Sequence, residues 1–451
     1  MCWERNKIKI SLVGVLIAGF FLFFSFVSPV GAEVKSLRVA YMPYPVHKQQ
    51  LKWMEKWAAE RGIKIERAPI AYENYAQQVA MHLTRKDPPF DVIWHNDDWG
   101  EMYAKLLEPI DDIPNFKKVS PTLYEGVFPD RVPFKPGAYR ITGVPFTTTS
   151  AVLFYRKDLA PFAPRTYDEL IKLCQSLMKQ GKVPWGFIGG TVYPHLWGTL
   201  IWSLASNNVF IFEPGGGICD TAVIASYGFT PMVDDPRFQE TVEFWWDNIY
   251  THKISPLEVI GYTRTDSDAI FKEGNVFAVW QDSIMYGTFN DPQQSKVVGK
   301  VGVMPFPAGP HGKKASWDIC WAWGVPKNIT DERKKIAKEL LNYLISDEVQ
   351  IDLWKETGGP PVTVNVRKQL YETDPLFREV GNATIYTDLV WESGGYYFAE
   401  WPKVMMTVGE YFQNMMKGKR EDIPAMLAKL KAEINEIVEP TRERWGVKFV
   451  K

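Results

Sequence analysis

Between Ser36 and Trp94 the hydrophobic period switches back and forth between that of a strand and that of a helix, and this order limits the possible folds more than any other feature of the chain. Residues 36–41 alternate as a strand does, and 47–61 carry Leu51, Trp53, Met54, Trp57 and Ala58 at helical spacing. A strand pattern returns over 63–68, a second helix is predicted over 75–84, and Asp87, Pro88 and Pro89 form a turn. Phe90-Asp91-Val92-Ile93-Trp94 then reads as a buried strand. A β-α-β-α-β order predicts a parallel α/β sheet. Ligands of open α/β sheets sit beyond the carboxyl ends of the strands. The loops after Tyr41 and Trp94 are therefore candidate binding loops, with Tyr44 and His47 in one and His95, Asp97, Asp98 and Trp99 in the other.

Further stretches extend the pattern. Residues 143–158 form an apolar strand entered through Thr147, Thr148 and Thr149, followed by a helix predicted to start near Thr166 with Asp168 and Glu169 in its first turn. A segment rich in Trp, Tyr and His, including Tyr193 and His195, precedes a helix over 239–249. Residues 269–282 read as helix end, turn and strand, and 301–307 and 321–326 as two more strands. Residues 331–346 form an amphipathic helix, and the C-terminal third is mostly helical.

With 451 residues and 46% hydrophobic content, the chain exceeds what one core organises, so two lobes are expected. A formal net charge of -1 and the absence of a Lys/Arg cluster argue against a nucleic-acid partner. Arg5, Lys7 and Lys9 precede an apolar run over 10–27, and Val30 and Ala32 fit a signal-peptidase site before Glu33. The expectation is an exported protein, periplasmic or on the outer face of the cytoplasmic membrane; the length of the run also permits an uncleaved anchor. Cys2 precedes the apolar run, so lipid attachment there is not expected. Cys174, Cys219 and Cys320 would allow at most one disulfide. No CxxC or paired-histidine spacing points to a metal, and no cofactor is expected.

Four stretches together resemble the family 1 extracellular solute-binding proteins of ABC importers, the maltose-binding-protein-like group. They are 90–94 with its acidic loop; 143–146 leading to 153–159; 271–280; and 302–307 continuing to 337–344. The resemblance implies a two-lobed, class II type periplasmic-binding-protein fold with three hinge crossings and a ligand cleft between lobes that close by hinge bending. It places the crossings near 145–149, 279–282 and 343–347. The first lobe would comprise 33–147 and 282–344, and the second 148–281 and 345–451. It implies a small solute as ligand, permease subunits as partners, a monomer, and no enzymatic activity. Sugar is favoured because pyranose faces pack on aromatic rings while hydroxyls pair with carboxylates, and the chain carries 18 Trp.

By the same resemblance Asp98, with Asp97 and His95 beside it, falls where members place a sugar-hydroxyl acceptor. Thr149 stands where some members have a carboxylate. Trp401 matches a stacking aromatic, Tyr193 and His195 fall in the second lobe's contact loop, and Asp282 and the pair Trp317 and Asp318 replace small residues.

Simpler roles compete for several of these residues. Trp53, Trp57, Trp245 and Trp246 lie on apolar helix faces and read as packing, and strand positions make Trp94, Trp280, Trp321 and Trp323 core residues by default. Asp97 and Asp98 also suit a helix cap. A glycoside hydrolase would need a carboxylate pair that nothing here singles out. A second ligand class on the same fold is a glycerol phosphodiester, polyamine or organic anion. The acidic residues of the candidate loops disfavour an anion unless they are paired.

Overall fold

The computed structural model describes residues 34–96, 99–110, 112–120, 141–160, 162–190, 197–215, 221–384, 389–391 and 398–448. The leader and anchor readings, Cys219, and the candidates Asp97, Asp98, Tyr193 and His195 lie outside the described residues. Trp317 and Asp318 are placed by backbone only.

The strands are β1 (Ser36–Tyr41), β2 (Lys64–Pro69), β3 (Val92–Asn96), β4 (Val144–Arg156), β5 (Trp185–Ile188), β6 (Val276–Asp282), β7 (Val301–Met304), β8 (Ala315–Gly324) and β9 (Leu389–Trp391). The principal helices are α1 (Pro45–Ala59), α2 (Tyr72–Leu83), α3 (Tyr167–Lys179), α4 (Pro236–Tyr250), α5 (Arg264–Lys272), α6 (Asp331–Leu344), α7 (Asp347–Thr357), α8 (Trp401–Lys417) and α9 (Ile423–Ile437). Among the described residues the strands form an open mixed sheet ordered β2-β1-β3-β8-β4-β6-β5, with β7 on β4 and β9 on β8. Pairs β1–β2, β1–β3 and β5–β6 are parallel, as β-α-β order requires. Strands β3 and β6 are buried at every position, which explains the apolar runs Val92–Trp94 and Val276–Trp280 that open them. No helix of the described residues is long and apolar enough to cross a membrane.

Local signals fix several helix starts. The Thr166 hydroxyl accepts from the Glu169 amide at α3, and Asp235 accepts from the Arg237 amide at α4, with Pro236 at the first position. At α5, Thr263 and Asp266 form a reciprocal capping box.

Two apolar clusters share the sheet. The first gathers Val39, Ile93, Trp94, Phe146, Trp323 and Leu341 among others. The second gathers Phe154, Phe187, Trp245, Val279, Phe306 and Trp401. The antiparallel strands β4 and β8 run between them: Val144 pairs with Trp323 at one end of their ladder and Ala151 with Trp317 at the other. Beyond it, β4 pairs with β6 and β7.

Side-chain membership changes from the first cluster to the second between Phe146 and Ala151, and back between Ala315 and Cys320. It changes again beyond Leu353, with Val362 in the first cluster and Val366 in the second. Just after β6, Ile284 belongs to the first cluster between Trp280 and Met285 of the second, while β7 pairs with β4 and keeps Val301, Val303 and Phe306 in the second cluster and α7 holds Val349 and Leu353 in the first. Gln350 ties this region together: its amide donates to the carbonyls of Phe146 at 3.0 Å and Leu344 at 3.1 Å, and its oxygen accepts from the Val362 amide at 2.7 Å.

Candidate functional site

The carboxyl ends of β1, β3 and β6 carry the polar groups that bear on function. β1 ends before Tyr44, which leads into α1, and β3 ends in the buried Asn96. β6 ends in Asp282, and the short turn at Gly274, whose φ of 81° suits glycine, reverses the chain from α5 into β6. The first turn of α5 therefore lies beside the carboxyl end of β6, which brings Arg264 next to Asp282.

Arg264 Nη1 donates to Asp282 Oδ2 at 2.5 Å, with both side chains nearly buried. The same guanidinium lies over the Tyr44 ring, 5.1 Å from its centroid, so a residue of the second cluster's helix reaches the loop after β1. The Tyr44 ring in turn meets Trp321 edge-on, with centroids 6.1 Å apart. Burial raises the Tyr44 hydroxyl above its ordinary pKa, against the pull of Arg264. One turn further along α5, burial pushes the Asp268 carboxyl up to about 7, although Arg264 and Lys272 act to lower it. The Gln281 amide donates to the Arg264 carbonyl at 3.4 Å. Among the described residues, Arg264 Nη2, Ser267 Oγ and Asp268 Oδ1 are buried atoms of α5 with no hydrogen-bond partner, and Asn96 Oδ1 at the end of β3 is another. Each orphaned buried polar group costs about 1–3 kcal/mol.

Most other candidates from the sequence are packed instead of open. His47 is fully buried, stacked on Trp321 with centroids 5.1 Å apart and boxed by Trp94, Phe146 and Trp323. Neither of its ring nitrogens has a partner, and burial lowers its pKa to about 3. His95, also fully buried on β3, is lowered to about 3 by burial, against a contact of Nδ1 with the Asn96 carbonyl at 3.2 Å. Trp99 lies nearly parallel to Tyr75 at 5.9 Å and edge-on to Trp94 at 5.2 Å, inside the first cluster. Trp401 is fully buried in the second cluster, 6.0 Å from the Phe398 ring. Thr149 is buried in β4 opposite Ile319, its hydroxyl without a partner. Cys174 and Cys320 are buried in different clusters.

Two consequences follow. Asp282 is charge-paired, so it does not add an unpaired negative charge to the site. Arg264 and Asp268 were not among the sequence candidates, although the Thr263–Asp266 capping box puts Arg264 in the first turn of the helix and so at the strand's carboxyl end.

Residues 52–379 match the family of bacterial extracellular solute-binding proteins. The sn-glycerol-3-phosphate-binding periplasmic protein UgpB of Brucella melitensis is 22% identical over 292 residues, 61% of this chain and 63% of that relative. The chain thus spans less than two thirds of that relative's length. Maltose-bound MalE3 of T. maritima superimposes with a TM-score of 0.75 at 23% identity, covering 88% of this chain and 99% of that one. A solute-binding protein of Agrobacterium radiobacter K84 in complex with ribitol gives 0.73 at 16% identity, covering 90% and 99%. At these identities the structural likeness establishes the fold.

Proposed function

Because the chain belongs to the bacterial extracellular solute-binding protein family, we propose that it captures a neutral sugar or sugar alcohol between two lobes and delivers it to the permease of an ABC importer. The observation that carries the choice of solute is the Arg264–Asp282 pair at the carboxyl ends of the strands. It supplies polar groups with their charges already compensated, which suits hydroxyls better than a phosphate or a polyamine. Maltose and ribitol in proteins of the same fold support this reading.

The lobes of this proposal are the two apolar clusters, with β4, β8 and the segment after α7 as the crossings. Capture requires shape, rings and hydrogen bonds and no nucleophile, so the solute leaves chemically unchanged. The protein acts outside the cytoplasm as a monomer.

The resemblance to a glycerol-phosphate-binding relative favours a second reading, in which Arg264 contributes to an anion site. A thermal-shift panel of maltose, maltotriose, ribitol, D-mannitol, spermidine and sn-glycerol 3-phosphate separates the two, because a solute that binds only the folded state raises its melting temperature. A dose-dependent rise with a sugar or polyol, recovered intact, is the expected result. A rise confined to sn-glycerol 3-phosphate replaces the neutral-solute reading with the anion reading, and recovery of hydrolysed saccharide replaces binding with catalysis.

A further inference from the structure

Arg264 is held from both sides: Asp282 fixes one nitrogen of the guanidinium, and Tyr44, from the other cluster, covers its face. With one end of the guanidinium fixed, Nη2 is left as a buried donor without a partner. One helical turn away, Asp268 Oδ1 is a buried acceptor in the same condition, while Lys272 and Gln281 act on that carboxylate from α5 and β6. A donor and an acceptor are thus both unsatisfied at the seam where the two clusters touch.

We propose that Arg264 and Asp268 are solute-specificity residues: Nη2 donates to one hydroxyl oxygen and Asp268 Oδ1 accepts from a hydroxyl of the same polyhydroxy solute, so that apposition of the lobes is fully satisfied only when such a solute is present. The proposal rests on the binding function above. Chemistry narrows the solute: Nη2 needs an acceptor and Asp268 Oδ1 a donor, both of which the hydroxyls of a polyol supply, whereas a polyamine cannot accept from a guanidinium; sn-glycerol 3-phosphate also carries hydroxyls and is separated by titration. Asp282 and Tyr44 are positioning residues, which orient the guanidinium without themselves being required to meet the solute.

Two variants separate this role from a purely structural one. Arg264→Lys keeps a cation beside Asp282 and Tyr44 but lacks the second planar nitrogen. Its unliganded melting temperature is expected to stay close to that of the unmodified protein, while affinity for whichever of maltose or ribitol binds falls about tenfold or more. Asp268→Ala removes a buried carboxylate that burial disfavours. It is expected to raise the unliganded melting temperature at pH 8 while lowering affinity by a similar factor, so stability and binding move in opposite directions.

Titration calorimetry with maltose and ribitol, paired with thermal melts, reads both quantities. Affinity unchanged in either variant overturns the proposal, as does a parallel fall of affinity and stability in Asp268→Ala. If the unmodified protein binds neither maltose nor ribitol but binds sn-glycerol 3-phosphate, the neutral-solute reading fails and takes this inference with it. That result is distinct from a protein that binds a neutral solute independently of Arg264 and Asp268.

Discussion

Trp401→Ala is expected to lower the stability of the protein by about 3–5 kcal/mol, the usual cost of truncating a buried tryptophan. Trp401 is fully buried at the first turn of α8 in the second cluster, next to Phe398. Its removal takes away the transfer free energy of the indole and leaves a cavity that Val404, Met405 and Val408, buried on the same helix, cannot close without moving the helix. The melting temperature is expected to fall on the order of 10 °C. Protein that remains folded at low temperature should bind solute with nearly unchanged affinity. A stacking platform would behave in the opposite way, with stability preserved and affinity lost, so paired thermal melts and solute titrations on Trp401→Ala decide between the two roles.

Acidification is the second large effect. His47 and His95 sit near pKa 3 in the folded protein, against about 6.5 in an unfolded chain. A depressed pKa means that the unfolded chain takes up the proton first. The stability these residues contribute is therefore complete above about pH 6.5 and is lost as the pH falls from there toward 3. At pH 4.5 the loss is about 2–3 kcal/mol for each histidine. Asp268 works in the other direction, because its raised pKa favours the fold as the pH drops through 7.

The comparison is therefore between the unmodified protein and His47→Leu, whose side chain suits the box formed by Trp94, Phe146, Trp321 and Trp323 and removes two unpartnered ring nitrogens. Denaturant unfolding at pH 7.5 and pH 4.5 is expected to show a smaller acid-induced loss in the variant, by about 2–3 kcal/mol. Equal losses in the two proteins would mean that His47 is protonated in the fold and reaches solvent or a partner.

The outcome for these residues shows what a sequence of this kind discloses. The early β-α-β-α-β order was legible because its signals are local: the helix predicted over 47–61 is α1, and the strand ending at Trp94 begins the buried run of β3. Thr166 caps α3 as its sequence position suggests. Trp57 and Trp245 are buried as their helical faces imply.

The central ladder was less legible. The pairing of β4 with β8 joins residues more than 160 positions apart, and β8 begins at Ala315, before the apolar stretch that marks a strand in the sequence. The Tyr44–Arg264 contact spans a still longer stretch of chain, and no local pattern encodes it. Trp99 suggested binding by its place in the loop after Trp94, and Trp401 by the family resemblance, yet both turn inward: Tyr75 and Trp94 receive one, and Phe398 with the face of α8 receives the other. A position along the chain indicates that a side chain is near an edge of the sheet, whereas tertiary packing decides which way it points.

The most direct test of the proposed function is titration calorimetry of the unmodified protein with maltose, ribitol and sn-glycerol 3-phosphate, each recovered and analysed afterward. Saturable one-to-one binding of maltose or ribitol is expected, with the solute intact and with affinity unaffected by excess sn-glycerol 3-phosphate. Binding of sn-glycerol 3-phosphate alone, or recovery of glucose from maltose, would contradict it.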